Sequence, residues 1–210
     1  MDWAGGGLLL LQGLAVVVVS TSCPGVYVVH CCTAPLGLES GSIPDSSLTS
    51  SLPSSSPQHG RLHHPSSAWC FSSSQMSQAG QEDVTLEILL ARPSLLSGVQ
   101  SQGPPSALHD EDYMRYISFT VEVWHDEGWE DHAEGWEDHD EGWEDCCGAH
   151  PGRTHFYADD QAGQGGLVTT HPFGGLVVAD RVRIRVSASL RWIGHDQKCF
   201  RFELLGCDSR

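Results

Sequence analysis

Positive charge is scarce in this chain: 11 Lys plus Arg stand against 27 Asp plus Glu, a formal net charge of -16. A surface that neutralises phosphates needs the opposite balance, which argues against a nucleic-acid partner. Long apolar runs are few. The leader MDWAGGGLLLLQGLAVVVVSTSCPG holds one, Leu8 to Val19, interrupted by Gln12 and Gly13 and short of the roughly 20 residues that a membrane span needs. It suits the core of a cleaved signal peptide over residues 1–22, although Asp2 stands where a basic residue is expected. Adding VYVVH gives the alternative of a poor membrane anchor. Outside the leader no segment of useful length has helical periodicity, which leaves strands as the building material. Catalytic signatures are missing as well: there is no His-Glu-x-x-His helix, no Gly-x-Ser-x-Gly elbow and no phosphate-cradling glycine loop. The chain is not expected to be an enzyme.

What the sequence does contain is 8 cysteines behind that leader, a combination that points to an oxidising compartment and a secreted or cell-surface protein. From Ser40 to Gly80 serine, proline and glycine crowd the chain, and on composition alone the stretch reads as a linker. Beyond Asp83 the pattern changes to strand-sized runs: VTLEILL (84–90), LLSGVQSQ (95–102), YISFTVEVW (116–124), RVRIRVSAS (181–189) and CFRFELLGC (199–207). In the third, Ile117, Phe119, Val121 and Val123 alternate with Ser118, Thr120 and Glu122, which predicts a half-buried strand. In the fourth, Val182, Ile184 and Val186 oppose Arg181, Arg183 and Arg185, whose row is either a solvated strand face or a binding stripe. Phe200, Phe202 and Leu204 oppose Arg201 and Glu203 in the last. Short strands with turn-rich connections make an all-β sandwich or barrel.

One heptapeptide is written three times between His125 and Asp145, as HDEGWED, HAEGWED and HDEGWED. Trp129, Trp136 and Trp143 recur every seventh residue without a second apolar position, so no coiled coil can form. Its carboxylates, interleaved with His125, His132 and His139, give weak calcium or zinc uptake as an expectation. No dedicated metal site and no other cofactor are expected.

Six words in order, CTAPLGLESGSIPDSSLTSS (32–51), GRL (60–62), AWC (68–70), LLSGVQSQG (95–103), YISFTVEV (116–123) and CFRFELLGC (199–207), resemble the landmarks of the discoidin family, also called coagulation factor 5/8 type C domains. The resemblance runs from Cys32 to Cys207. It implies an eight-stranded antiparallel jelly-roll-like β-sandwich over residues 32–207, with an acidic repeat insertion at 125–145, and it makes Ser40 to Gly80 part of the fold. It implies the disulfide Cys32–Cys207 and, as in the collagen-receptor branch, a second, Cys70–Cys199. Cys23, Cys31, Cys146 and Cys147 have no counterpart. One heptapeptide, His125 to Asp131, fills a family turn and sets Trp129 on the sandwich edge; the other two are surplus.

The resemblance further implies an extracellular adhesion module that meets a protein, glycan or membrane-surface ligand with loops at one end of the sandwich. Here those loops offer Ser51, Leu52, Pro53 and His59, then Pro104, Pro105, His109 and Asp110 after SQG. Membrane and collagen binders of the family usually carry Trp or Phe in the first loop; this chain has Leu52 and prolines, so collagen remains a possible partner without its usual aromatic. The acidic HDED (109–112) repels an anionic phospholipid head group. The alternative reading, from a different class, is an acidic divalent-cation-binding or matrix-associated structural protein in which the repeat 125–145 is the functional part.

Overall fold

The computed structural model describes residues 32–105, 116–124, 143–145, 155–159, 167–187 and 197–208. The described residues contain nine strands: β1 (Ala34–Pro35), β2 (Leu48–Ser50), β3 (Trp69–Ser72), β4 (Asp83–Gln102), β5 (Tyr116–Trp124), β6 (Glu144–Asp145), β7 (His155–Asp159), β8 (Val168–Ser187) and β9 (Gln197–Asp208). Every pairing between them is antiparallel. The two runs expected at 84–90 and 95–102 are one strand, β4, whose register shifts between Leu89 and Ser94 and again between Leu96 and Gly98. Such irregularities let a long strand turn a corner and serve two sheets. The first half of β4 lies between β2 and β8, with β5 beyond; the second half lies between β8 and β9, with β1 and β3 on the far side of β9. The result is an antiparallel sandwich.

Alternation sets its inner face. Leu86, Ile184 and Val121 stand side by side across β4, β8 and β5, as do Ile88, Val182 and Val123, and all six are buried. From the other sheet Val99, Phe200, Phe202 and Leu204 close the core, with the rings of Phe119 and Phe202 edge to face at 5.2 Å. At roughly 25 cal/mol per Å² of apolar surface this burial is the main source of stability. The serine-rich stretch folds because single apolar anchors, Ile43, Leu48 and Leu52, drop from it into that core.

A helix, α1 (Ser73–Ala79), occurs where none was expected. Its ends carry the signal. Ser72 and Gln75 form a reciprocal capping box, and Gly80 takes the left-handed conformation (φ 67°) that ends it. It escapes periodicity because Met76 is its one buried residue.

The outer faces also differ from expectation. Glu122 and Ser118 on β5, and Lys198, Arg201 and Glu203 on β9, are buried, so neither strand is half solvated. Glu87, Arg183 and Glu122 form one rung across β4, β8 and β5, with Arg183 3.0 Å from Glu87 and 3.3 Å from Glu122. Arg185 pairs ionically with Glu122, Nε to carboxylate oxygen 2.8 Å. Trp143, from the third heptapeptide, covers Arg183 with its ring centroid 4.1 Å from the guanidinium carbon, and β6 pairs Glu144 and Asp145 with Val123 and Glu122. Arg183 and Arg185 are thus engaged by carboxylates and, for Arg183, an indole, while Arg181 stays exposed over the Trp124 ring. Trp129 and the first two heptapeptides lie outside the described residues, as do the leader and Cys23, Cys31, Cys146 and Cys147.

Both disulfides land on β9: Cys32 is bonded to Cys207 and Cys70 to Cys199, the two pairs implied by the resemblance. Among the described residues no helix is long and apolar enough to cross a membrane.

Candidate ligand-binding site at the loop end

Where β4 stops at Gln102 and β3 begins at Trp69, the segment 57–67 folds over the strand ends. Two buried polar side chains hold it there. The Gln102 amide oxygen accepts from the His63 N–H at 2.9 Å, and Arg201 donates to the carbonyls of Gly103 (2.7 Å) and His64 (2.9 Å). Burial lowers Arg201 to about 10, which leaves it charged at neutral pH. Arg61 ties the same segment to its neighbour, donating to the carbonyls of Leu38 and Ile43 and pairing with Asp45. So restrained, His63 keeps a positive φ of 55°, which a residue with a Cβ seldom adopts. Its ring stands exposed against Glu39, 2.9 Å away.

The restraint sets two imidazoles side by side. Ser67 links them: its N–H donates to His64 Nδ1 at 3.1 Å, and its hydroxyl bonds His59 Nδ1 at 3.0 Å. The two rings are 5.2 Å apart and tilted by 53°. Because His64 Nδ1 accepts, a neutral His64 carries its proton on Nε2. Burial first, then His59, Arg201 and Arg61, lower the His64 pKa below the usual histidine value, so the neutral form prevails at physiological pH. The cluster offers hydrogen-bond donors and acceptors side by side.

The residues expected to meet a ligand fare unequally. His59 belongs to the cluster, and Pro53 is exposed. Leu52 is a correction: at 2% exposure it is a core residue that anchors its loop. Pro104 and Pro105 are corrections too, for both are buried against the end of β4 and present no apolar tip. Ser51 is engaged in structure, its hydroxyl accepting from Thr85 N–H and its carbonyl from Gln81. His109 and Asp110 lie outside the described residues. His63, His64, Ser67, Gln102 and Arg201 were not foreseen; the paired histidines in GRLHHPSSAWC, wedged between two landmark words, were the available signal. Among the described residues no group of three or more His, Cys, Asp or Glu is arranged to hold a metal. Of the repeat to which calcium or zinc uptake was assigned, only residues 143–145 are described.

Searches by fold find the same architecture in solved proteins. The F5/8 type C domain of a protein from Bacteroides fragilis superposes with a TM-score of 0.52 at 11% identity, covering 84% of this chain and 97% of that one. The fold is that of a discoidin-type domain. Wild-type discoidin II from Dictyostelium discoideum (TM-score 0.48, 11% identity, 78% of this chain and 55% of that one) and the family 32 CBM from C. perfringens NanJ in complex with galactose (TM-score 0.47, 9% identity, 78% and 96%) are also similar to it. No family sequence profile and no curated protein sequence matches the chain. At these identities the discoidin-type assignment describes the fold, and the function has to be argued from the site.

Proposed function

We propose that this discoidin-type domain is a non-catalytic extracellular binding module whose ligand is met at the loop end by His59, His63, His64 and Ser67. The observation that carries the reading is the pair of imidazoles joined through Ser67 and held over the buried Arg201 and Gln102. Rings restrained in this way lose little freedom on binding, which favours affinity. Their chemistry suits a partner rich in hydroxyl or amide groups, and a glycan or a polar protein surface fits better than a bilayer. Insertion into lipid needs an apolar tip, and the candidates Leu52, Pro104 and Pro105 are buried. Two disulfides fit an oxidising, extracellular setting. The test is a binding panel of immobilised glycans, collagen and phosphatidylserine vesicles, read with the wild type and with His59→Ala/His64→Ala. The expected result is binding to a glycan or protein and a loss of tenfold or more, about 1.4 kcal/mol, in the double variant. Binding to vesicles alone, or binding that the double variant retains in full, would overturn the proposal.

A further inference from the structure

The three heptapeptides share five consecutive residues: Glu127–Asp131, Glu134–Asp138 and Glu141–Asp145 all read EGWED. Of the last, Trp143, Glu144 and Asp145 are seated on the outer face of the sheet. Trp143 covers Arg183 and lies 6.0 Å from Trp124, which in turn lies under Arg181 at 5.8 Å, and Glu144 and Asp145 pair with Val123 and Glu122. Every group contributed by the sheet belongs to β5 and β8. Every residue contributed by the repeat occurs in all three copies. Among the described residues, nothing in the contact distinguishes the third copy from the others.

We propose that the outer face of β5 and β8 is a docking site for a Gly-Trp-Glu-Asp peptide, and that Gly128–Asp131 and Gly135–Asp138 of this chain occupy it in exchange with Gly142–Asp145. In the observed register the first copy sets Asp131 opposite Glu122, Glu130 opposite Val123 and Trp129 opposite Trp124. That leaves the connection 125–128, ending in Gly128, a length at which β-hairpins close readily. With the third copy seated the connections are 125–142 and 146–154; with the first they are 125–128 and 132–154, so one shortens as the other lengthens. Closure entropy varies only with the logarithm of length, and on that basis the seated populations differ by roughly twofold. The attraction is the same for each: an indole over the Arg183 guanidinium. Each added heptapeptide is thus a further occupant for one site.

The experiment uses the full chain and follows hydrogen exchange of the Glu122–Trp124 amides, with β9 amides as the check on folding. Trp143→Ala alone is expected to leave that exchange within about threefold of the wild type, and each of the three double variants that keep one of Trp129, Trp136 or Trp143 behaves likewise. Replacing all three raises it about tenfold. The proposal is overturned if Trp143→Ala alone gives the exchange of the triple variant, if any one-tryptophan variant does so, or if the triple variant exchanges like the wild type.

Discussion

Strands β8 and β9 present the same alternation of apolar residues with charge, but their outward rows are covered in different ways. On β9 the cover is the domain's own loops, held by backbone groups. Glu203, fully buried, accepts from the N–H groups of Gly37 (3.2 Å), Leu38 (3.0 Å) and Glu39 (2.7 Å), and Arg201 donates to the Gly103 and His64 carbonyls. Both disulfides fasten the ends of this strand. On β8 the cover is side chain on side chain: the carboxylates of Glu87 and Glu122 from the flanking strands, and the indole of Trp143 above them. The first arrangement fixes the loops that carry the binding site. The second seats a segment drawn from a repeat.

The contrast can be broken first at the cystines. Reducing both bridges removes constraints that span 175 and 129 residues, about 4 to 5 kcal/mol each in the chain-entropy model; urea unfolding with and without reductant measures it. Glu203→Ala comes next. It strands three loop N–H groups without their acceptor, at about 3 to 4 kcal/mol, and the same unfolding experiment on the variant should place its loss above that of a substitution in the outward arginine row of β8.

His171 belongs to the shared core and to neither outer row. Buried between the sheets beside Phe119 and Phe156, with Nε2 2.8 Å from the Ser101 hydroxyl, its pKa falls by desolvation from 6.5 to about 4. The unfolded chain takes up a proton below pH 6.5 that the folded domain refuses until about pH 4. Stability therefore declines as pH falls through that window, by about 3 kcal/mol in all, and is unaffected above it. His171→Phe should flatten this part of the profile of unfolding free energy against pH; an unchanged slope would contradict the assignment. The smallest effect belongs to β8, where Arg183→Ala leaves Glu122 with Arg185 and should cost about 2 kcal/mol by thermal unfolding.

The inner face was readable because burial on a strand imposes a two-residue period: Phe119, Val121 and Val123, or Phe200, Phe202 and Leu204, announce themselves. The same pattern is silent on the polar row, since whether Glu203 or Glu122 meets water depends on chain segments far away in sequence. Leu52, Pro104 and Pro105 were misread for a related reason: an apolar residue in a loop either projects or anchors, and composition cannot distinguish the two. The site was legible in part, through His59, while Gln102 and Arg201 act by restraining backbone and so leave no mark on a motif. Trp143 was not singled out from Trp129 and Trp136, because all three stand in the same five residues, EGWED.

The measurement that bears most directly on where this domain binds sets two variants side by side against whichever glycan or protein the panel returns: His59→Ala/His64→Ala, and a deletion of His132–Asp145 that leaves one heptapeptide in place. Calorimetric titration should find affinity within about twofold of the wild type for the deletion and at least tenfold weaker for the histidine variant. Loss of binding in the deletion, with the histidine variant intact, would move the function to the acidic repeat and contradict the account.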